Sequence, residues 1–139
     1  MILADSGYWL ALANRRDRWH LRAVEVTGQL NDRLIVTWPV LTETCHLLLS
    51  QLGTRAQTLF LEQVSQCSDI FSLHSGHIAK LQLLMNQYAD LPMDLADASL
   101  VLAAEEMGSG DILSTDQRDF HTYRWKNRKP FRNLLIVED

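Results

Sequence analysis

Residues 94–116 read DLADASLVLAAEEMGSGDILSTD, and this stretch decides how the chain is built. Asp94 suits a helix N-cap, where a short carboxylate accepts from free first-turn amides. Leu95 to Met107 reads as a strong helix, and Gly108 stands where such a helix stops. Ile112-Leu113-Ser114-Thr115 then reads as a strand, with Asp116 directly after it. A helix feeding a short apolar strand, with an acid at the strand's carboxyl end, is the pattern of a parallel α/β sheet.

The same alternation runs outward in both directions. Ile2-Leu3-Ala4 is a strand candidate, Tyr8 to Ala13 a short helix, and Leu21 to Leu30 an amphipathic helix. Leu34-Ile35-Val36-Thr37-Trp38 is β-rich and is stopped by Pro39. The next helix spans about Thr42 to Leu52, with Leu41, Cys45, Leu48, Leu49 and Leu52 on one face and Gly53 as a left-handed stop. Thr54-Arg55-Ala56-Gln57 matches a capping box opening a helix to about Val64. Ile70-Phe71-Ser72-Leu73 reads as a strand. Gly76 to Ala89 is helical, with His77, Leu81, Leu84, Met85 and Tyr88 on one face, and Leu134-Leu135-Ile136-Val137 is the last strand. The expected fold is a single α/β domain, residues 1–139, with a mainly parallel central sheet of about five strands and helices on both faces.

Composition agrees with one globular domain: 139 residues, 47% apolar and 22% charged. No apolar run approaches the ~18 residues that span a bilayer. The N-terminus has no basic segment, and Asp5 interrupts its apolar run, so a secretory leader is not expected and the chain reads as cytoplasmic without a membrane partner. Cys45 and Cys67 lack CxxC spacing, and the five His show no zinc-finger spacing. The net charge of −4 conceals an asymmetry. No Lys or Arg lies between Lys80 and Arg118, a gap holding seven acids, whereas Arg118 to Arg132 holds six of the thirteen basic residues.

In parallel α/β folds, ligands bind outside the carboxyl ends of the strands. Asp5 and Asp116 each follow a strand directly, while Glu43 and Asp97 each read into the first turn of a helix. Singly, each acid has a plain structural use, as a cap, a turn residue or a partner of a helix dipole. Four acids at four element ends are a stronger observation. Two like charges ~4 Å apart repel by about 4 kcal/mol at an effective dielectric of 20. Carboxylates sharing a pocket therefore take up protons or bind a cation. Their hard oxygens suit Mg²⁺ or Mn²⁺, a chemistry matched to phosphodiester hydrolysis.

These segments resemble the PIN-domain ribonucleases, and more closely the VapC-type toxins of bacterial toxin–antitoxin pairs. The resemblance runs through Met1-Ile2-Leu3-Ala4-Asp5-Ser6, Thr42-Glu43-Thr44-Cys45-His46-Leu47-Leu48, Asp94-Leu95-Ala96-Asp97-Ala98-Ser99-Leu100-Val101 and Leu113-Ser114-Thr115-Asp116-Gln117-Arg118-Asp119-Phe120. It implies Asp5, Glu43, Asp97 and Asp116 as catalytic residues and ligands of Mg²⁺ or Mn²⁺, with Asp94, Asp119, Ser114, Thr115 and Ser6 as accessory residues. It also implies an endoribonuclease acting on an RNA substrate, a homodimer, and neutralisation by a cognate antitoxin protein.

Candidate RNA contacts are Arg118, Arg124, Lys126, Arg128 and Lys129, interleaved with Tyr123, Trp125 and Phe131, together with Arg15 and Arg16. Cations neutralise phosphates and rings stack on unpaired bases; the plainer reading is a solvated loop whose aromatics join the core. Trp9, Trp19 and Trp38 read as core or interface residues. Other enzymes fit less well. A receiver domain needs a Lys where Asp116 stands, a haloacid-dehalogenase-type phosphatase needs a second acid at Gly7, and no G-x-S-x-G elbow occurs. The rival from another class is a PIN-like module that binds RNA or protein without cutting.

Overall fold

The computed structural model describes residues 1–136. Its central sheet joins β1 (Ile2–Ala4), β2 (Leu34–Thr37), β3 (Ser68–Phe71), β4 (Asp111–Leu113) and β7 (Arg132–Asn133), in the order β3-β2-β1-β4-β7. Every pairing is parallel, with Leu3 opposite both Ile35 and Ile112. β1 and β2 are buried along their whole length, as strands covered on both faces must be. The order runs one way from β1 to β3 and the other way from β4 to β7, so the switch point lies between the carboxyl ends of β1 and β4.

Helices flank this sheet. α1 (Ser6–Ala13) packs against α2 (His20–Gln29), α3 (Trp38–Leu52) and α4 (Thr54–Cys67), while α5 (Ile78–Gln87) packs against α6 (Leu95–Met107). α6 follows the limits read from the sequence: Asp94 caps it, its side chain accepting from the Asp97 amide at 2.8 Å, and Gly108 ends it at φ 74°. Ala96, Ala98, Ala103 and Ala104 are buried along α6, and these small side chains let it lie close to its neighbours. A buried hydroxyl pair, Thr37 Oγ1 to Ser99 Oγ at 2.7 Å, ties α6 to the end of β2.

Several expectations shift, each for a definite physical reason. α3 begins at Trp38 because Thr37 caps it and Pro39 lies in its first turn; there the missing amide of proline costs nothing. Pro39 thus ends the strand by opening the helix, and Glu43 falls in the second turn rather than the first. Leu49 and Leu52 are exposed, whereas Leu41 and Leu48 are buried. The cap of α4 is Gly53, at φ 97°, and Thr54 makes no capping bond. β3 starts two residues earlier than expected, because Ser68 pairs with Leu34. A single 3₁₀ turn, Ser75–His77, precedes α5.

The last strand is Arg132–Asn133, set by pairing with Asp111 and Ile112. Leu135 and Ile136 are buried after it in a bend, and Val137 lies outside the described residues. Between β4 and β7 stand α7 (Gln117–Thr122) and a hairpin of β5 (Arg124–Trp125) with β6 (Lys129–Pro130), which sequence reading did not resolve. Trp125 is buried there and donates to the Pro130 carbonyl at 3.1 Å. A Cβ at Gly110 would lie 2.2 Å from Trp125 Nε1 and 2.9 Å from its Cδ1. Gly110→Ala should therefore destabilise the fold by about 1–3 kcal/mol, read as a lower urea midpoint with an unchanged m-value. An unchanged midpoint would show that the Trp125 ring is not held as described.

Candidate active site

The strands β1 and β4 that end beside the switch point each lead into a helix capped by an acid. Asp5 follows β1 and caps α1, its Oδ1 accepting from the Ser6 amide at 2.7 Å. Asp116 follows β4 by three residues and caps α7, accepting from the Asp119 amide at 3.0 Å. Asp97 lies in the first turn of α6 and Glu43 in the second turn of α3. These four acids, with Asp94 and Asp119, line a single cleft of about 300 Å³. The amino-terminal ends of α1, α6 and α7 border the cleft, so their backbone dipoles lessen the repulsion among the acids.

Hydroxyls order the carboxylates. Ser6 Oγ donates to Glu43 Oε1 at 3.2 Å and lies 3.5 Å from Asp5 Oδ1. Ser114 Oγ donates to Asp5 Oδ2 at 3.0 Å and accepts from the Asp116 amide at 3.0 Å. Thr115 borders the cleft against Gly7: a Cβ on that glycine would meet Thr115 Oγ1 at 1.9 Å and Thr115 Cβ at 3.1 Å. Gly7 therefore lets the β4–α7 loop, with Asp116, approach α1.

Three positioning residues escaped the sequence reading. Asn133 replaces a strand partner for Ser114: its Oδ1 accepts from Ser114 N at 3.2 Å and its Nδ2 donates to Ser114 O at 2.8 Å. Tyr123, expected among base-stacking aromatics, is fully buried and donates its hydroxyl to Asp97 Oδ2 at 3.1 Å. Edge-on contacts with Tyr88 and Phe120, at 5.0 and 5.2 Å, hold its ring. Gly7 is the third. The only sequence hint was a glycine inside a helical first turn.

The candidate cations distribute differently from the acids. Arg118 is exposed at the cleft and pairs with buried Asp119 at 3.2 Å. Arg124 turns its guanidinium onto the carbonyls of His121, Thr122 and Tyr123, closing the end of α7 rather than facing solvent freely. Lys126 and Lys129 lie over the Trp125 ring at 5.7 and 4.8 Å, so that ring is covered by its own loop. Arg128 is exposed on that hairpin, and Arg15 and Arg16 are exposed after α1. Arg132 forms a two-armed pair with Asp111.

Proton affinities register the crowding. Burial pushes Asp5 up to about 6, partly offset by the Ser6 amide and Ser114 hydroxyl, with Glu43 and Asp116 adding repulsion. Burial, then the charges of Asp94 and Asp5, push Asp97 up to about 8, against the opposing bond from Tyr123. Glu43 is raised by burial and by Asp94, and Asp116 by burial and by Asp119. Tyr123 is raised by burial and by the acids around it, which keeps its hydroxyl a donor. Among the described residues, no Lys or Arg forms an ion pair with Asp5, Glu43 or Asp97.

A hard divalent cation fits this donor set. All donors are carboxylate or hydroxyl oxygens, and among the described residues no Lys or Arg pairs with Asp5, Glu43 or Asp97. No three acids, His or Cys of the described residues already converge as a coordination shell. Mg²⁺ tolerates that, since it keeps several waters and binds through one or two carboxylates.

Comparison with known proteins bears on most of the chain. Ribonuclease VapC26 of Mycobacterium tuberculosis (strain ATCC 25618 / H37Rv) is 23% identical over 124 residues, covering 88% of this chain and 92% of that protein. The crystal structure of Mycobacterium tuberculosis VapC20, described as a sarcin-ricin loop cleaving toxin, superposes with a TM-score of 0.77 at 19% identity. It covers 84% of this chain and 90% of its own. No family model matches the sequence. The fold is thus PIN-like, and the chain is similar to a VapC-type ribonuclease along most of its length.

The raised carboxyls give a pH dependence of known sign. Asp5 and Asp97 hold protons in the folded chain at pH values where their unfolded forms, with ordinary values of 3.8, have lost them. Without divalent ions, the stability these two protons contribute is fully present below about pH 3.8 and is lost as pH rises through about 6 for Asp5 and about 8 for Asp97. Thermal unfolding in EDTA should show a lower midpoint at pH 8.5 than at 5.5, with Asp97→Asn flattening the difference. A midpoint that rises over this range would refute the electrostatic account.

Proposed function

We propose that this chain, PIN-like in fold and similar to VapC-type ribonucleases along most of its length, is a Mg²⁺- or Mn²⁺-dependent endoribonuclease. We further propose that it is the toxin of a toxin–antitoxin pair, acts in the cytoplasm as a homodimer, and is neutralised by a cognate antitoxin protein. RNA enters as substrate class from the relatives' descriptions as a ribonuclease and a sarcin-ricin loop cleaving toxin. No helix of the described residues is long and apolar enough to cross a membrane, and the proposal needs none. The observation that carries the reading is the cluster of acids at the switch point of the sheet, where among the described residues no Lys or Arg pairs with Asp5, Glu43 or Asp97.

In this proposal Asp5, Glu43, Asp97 and Asp116 hold the cation, directly or through water. Asp94 caps the Asp97 segment, and buried Asp119 donates its amide to Asp116. When bound, the ion supplies activation of water and stabilisation of charge on a phosphodiester. The chain's own groups do the positioning. Ser6 and Ser114 set the orientation of Asp5 and Glu43, and Tyr123 fixes Asp97 by donating to one oxygen so that the other faces the cleft. Arg118 stands where it can meet a substrate phosphate. Asp97, with its proton affinity near neutral, releases a proton as a cation enters, which makes cation affinity increase with pH.

Two experiments test this reading. Cleavage of a panel of structured RNAs by Asp97→Asn should fall by more than the ~10–100-fold typical of outer-shell changes, whereas Tyr123→Phe should stay within that range. EDTA should abolish cleavage and Mg²⁺ or Mn²⁺ restore it. Full activity in EDTA or in Asp97→Asn would defeat the proposal, and RNA binding without turnover would favour the non-cutting module. Separately, Gly7→Ala should lower kcat by displacing the Thr115–Asp116 loop, and the double change with Thr115→Gly should recover part of the loss. Equal activity of Gly7→Ala and the unaltered chain would remove Gly7 from the site.

A further inference from the structure

A second surface adjoins the acidic cleft and contrasts with it in chemistry. The loop after α1 exposes Arg15, Arg16 and Arg18 within four residues. Two side chains brace the loop: Asn14 accepts from the Arg16 amide at 3.0 Å, and Asp17 accepts from the Trp19 amide at 2.8 Å. Asp17 is thus engaged locally. Trp19 packs partly against the core, and the Arg18 guanidinium lies over its ring at 4.8 Å. Arg18, Trp19, Arg22 and Gln117 line an open groove of about 650 Å³. Arg22 forms its floor, its Nε donating to the Leu135 carbonyl at 2.8 Å.

The groove and the acidic cleft are neighbours through consecutive residues. Asp116 lines the cleft, and Gln117 lines the groove. A polyanion crossing from one to the other passes the start of α7. Planar guanidinium and indole groups stack on unpaired bases whatever their sequence. A chain of net charge −4 with an acidic cleft also needs a local cationic patch to draw a polyanion in.

We propose that this groove receives the single-stranded RNA segment beside the scissile phosphate, with one unpaired base stacked on the Arg18–Trp19 pair and adjacent phosphates meeting Arg15 and Arg16. This makes Trp19 and Arg18 specificity-determining residues for unpaired substrate, in addition to the packing of Trp19 against the core. The inference rests on the proposed RNA cleavage.

The test uses a fluorescein-labelled, mixed-sequence single-stranded RNA bound to the Asp97→Asn chain, so that cleavage does not interfere. Adding Trp19→Ala or Arg18→Ala should weaken binding about 5- to 100-fold, the range for loss of one stacked base. Trp19→Phe should retain most of the affinity, whereas Arg18→Lys should not, since it keeps the charge and loses the plane. Arg15→Ala with Arg16→Ala should reduce the salt dependence of binding. In the cleaving chain, Trp19→Ala should raise KM more than it lowers kcat. If the Asp97→Asn chain binds RNA and the loop variants bind equally well, the groove assignment is overturned while RNA cleavage stands. If those variants keep RNA affinity but lose a protein partner, the loop belongs to that partner and the proposal is likewise overturned. If the unaltered chain neither binds nor cuts RNA, the functional reading itself fails.

Discussion

Repulsion among carboxylates held at the ends of buried strands is the constraint around which the rest of the molecule is arranged. Asp5 is 7% exposed and stands one residue beyond β1, a strand with no solvent-facing residue. Placing acids in such a location is unfavourable unless their charge is spread or removed. The fold spreads it through amides at the starts of α1, α6 and α7 and through the hydroxyls of Ser6, Ser114 and Tyr123. It does not remove it with Lys or Arg at Asp5, Glu43 or Asp97. The raised proton affinities record the remainder.

The same arrangement explains why the supporting residues lie where they do. Asp5 and Asp116 can share a cleft only if β1 and β4 are neighbours and the loop after β4 comes close to α1. The first condition is met by parallel pairing, Leu3 opposite Ile112 and Ala4 opposite Leu113. The second is met by Gly7, which leaves room for Thr115. Asn133 then holds Ser114 by both its backbone groups, although β4 has already ended at Leu113. Asp97 arrives differently, on a buried helix fixed to β2 by the Thr37–Ser99 pair. Rigid elements thus carry the acids, and short polar contacts adjust them.

Acid and base are segregated on the surface as well. The acidic cleft sits at the sheet's switch point, while several of the basic residues that follow it in sequence are spent on structure. Arg124 closes α7, Lys126 and Lys129 cover Trp125, and Arg132 pairs with Asp111. A run of positive charge in sequence therefore overstates the free positive surface. The loop at Arg15 to Arg18 is shorter in sequence, yet its guanidinium groups remain exposed.

The sequence by itself determined the α/β class, the extent of α6, the four acids at element ends and the family they resemble. Those features depend on local rules: apolar periodicity, an Asp at an N-cap and a Gly at φ 74° after the last turn. Only the tertiary structure decided which elements are neighbours. The limits of β3 and β7 and the assignment of Tyr123 to Asp97 follow from pairing across long sequence separations. Ser114 and Asn133 are 19 residues apart, Tyr123 and Asp97 are 26, and Ser114 and Asp5 are 109. A side chain's local propensity holds no information about such a partner, because the contact exists only after the sheet order brings the two segments together.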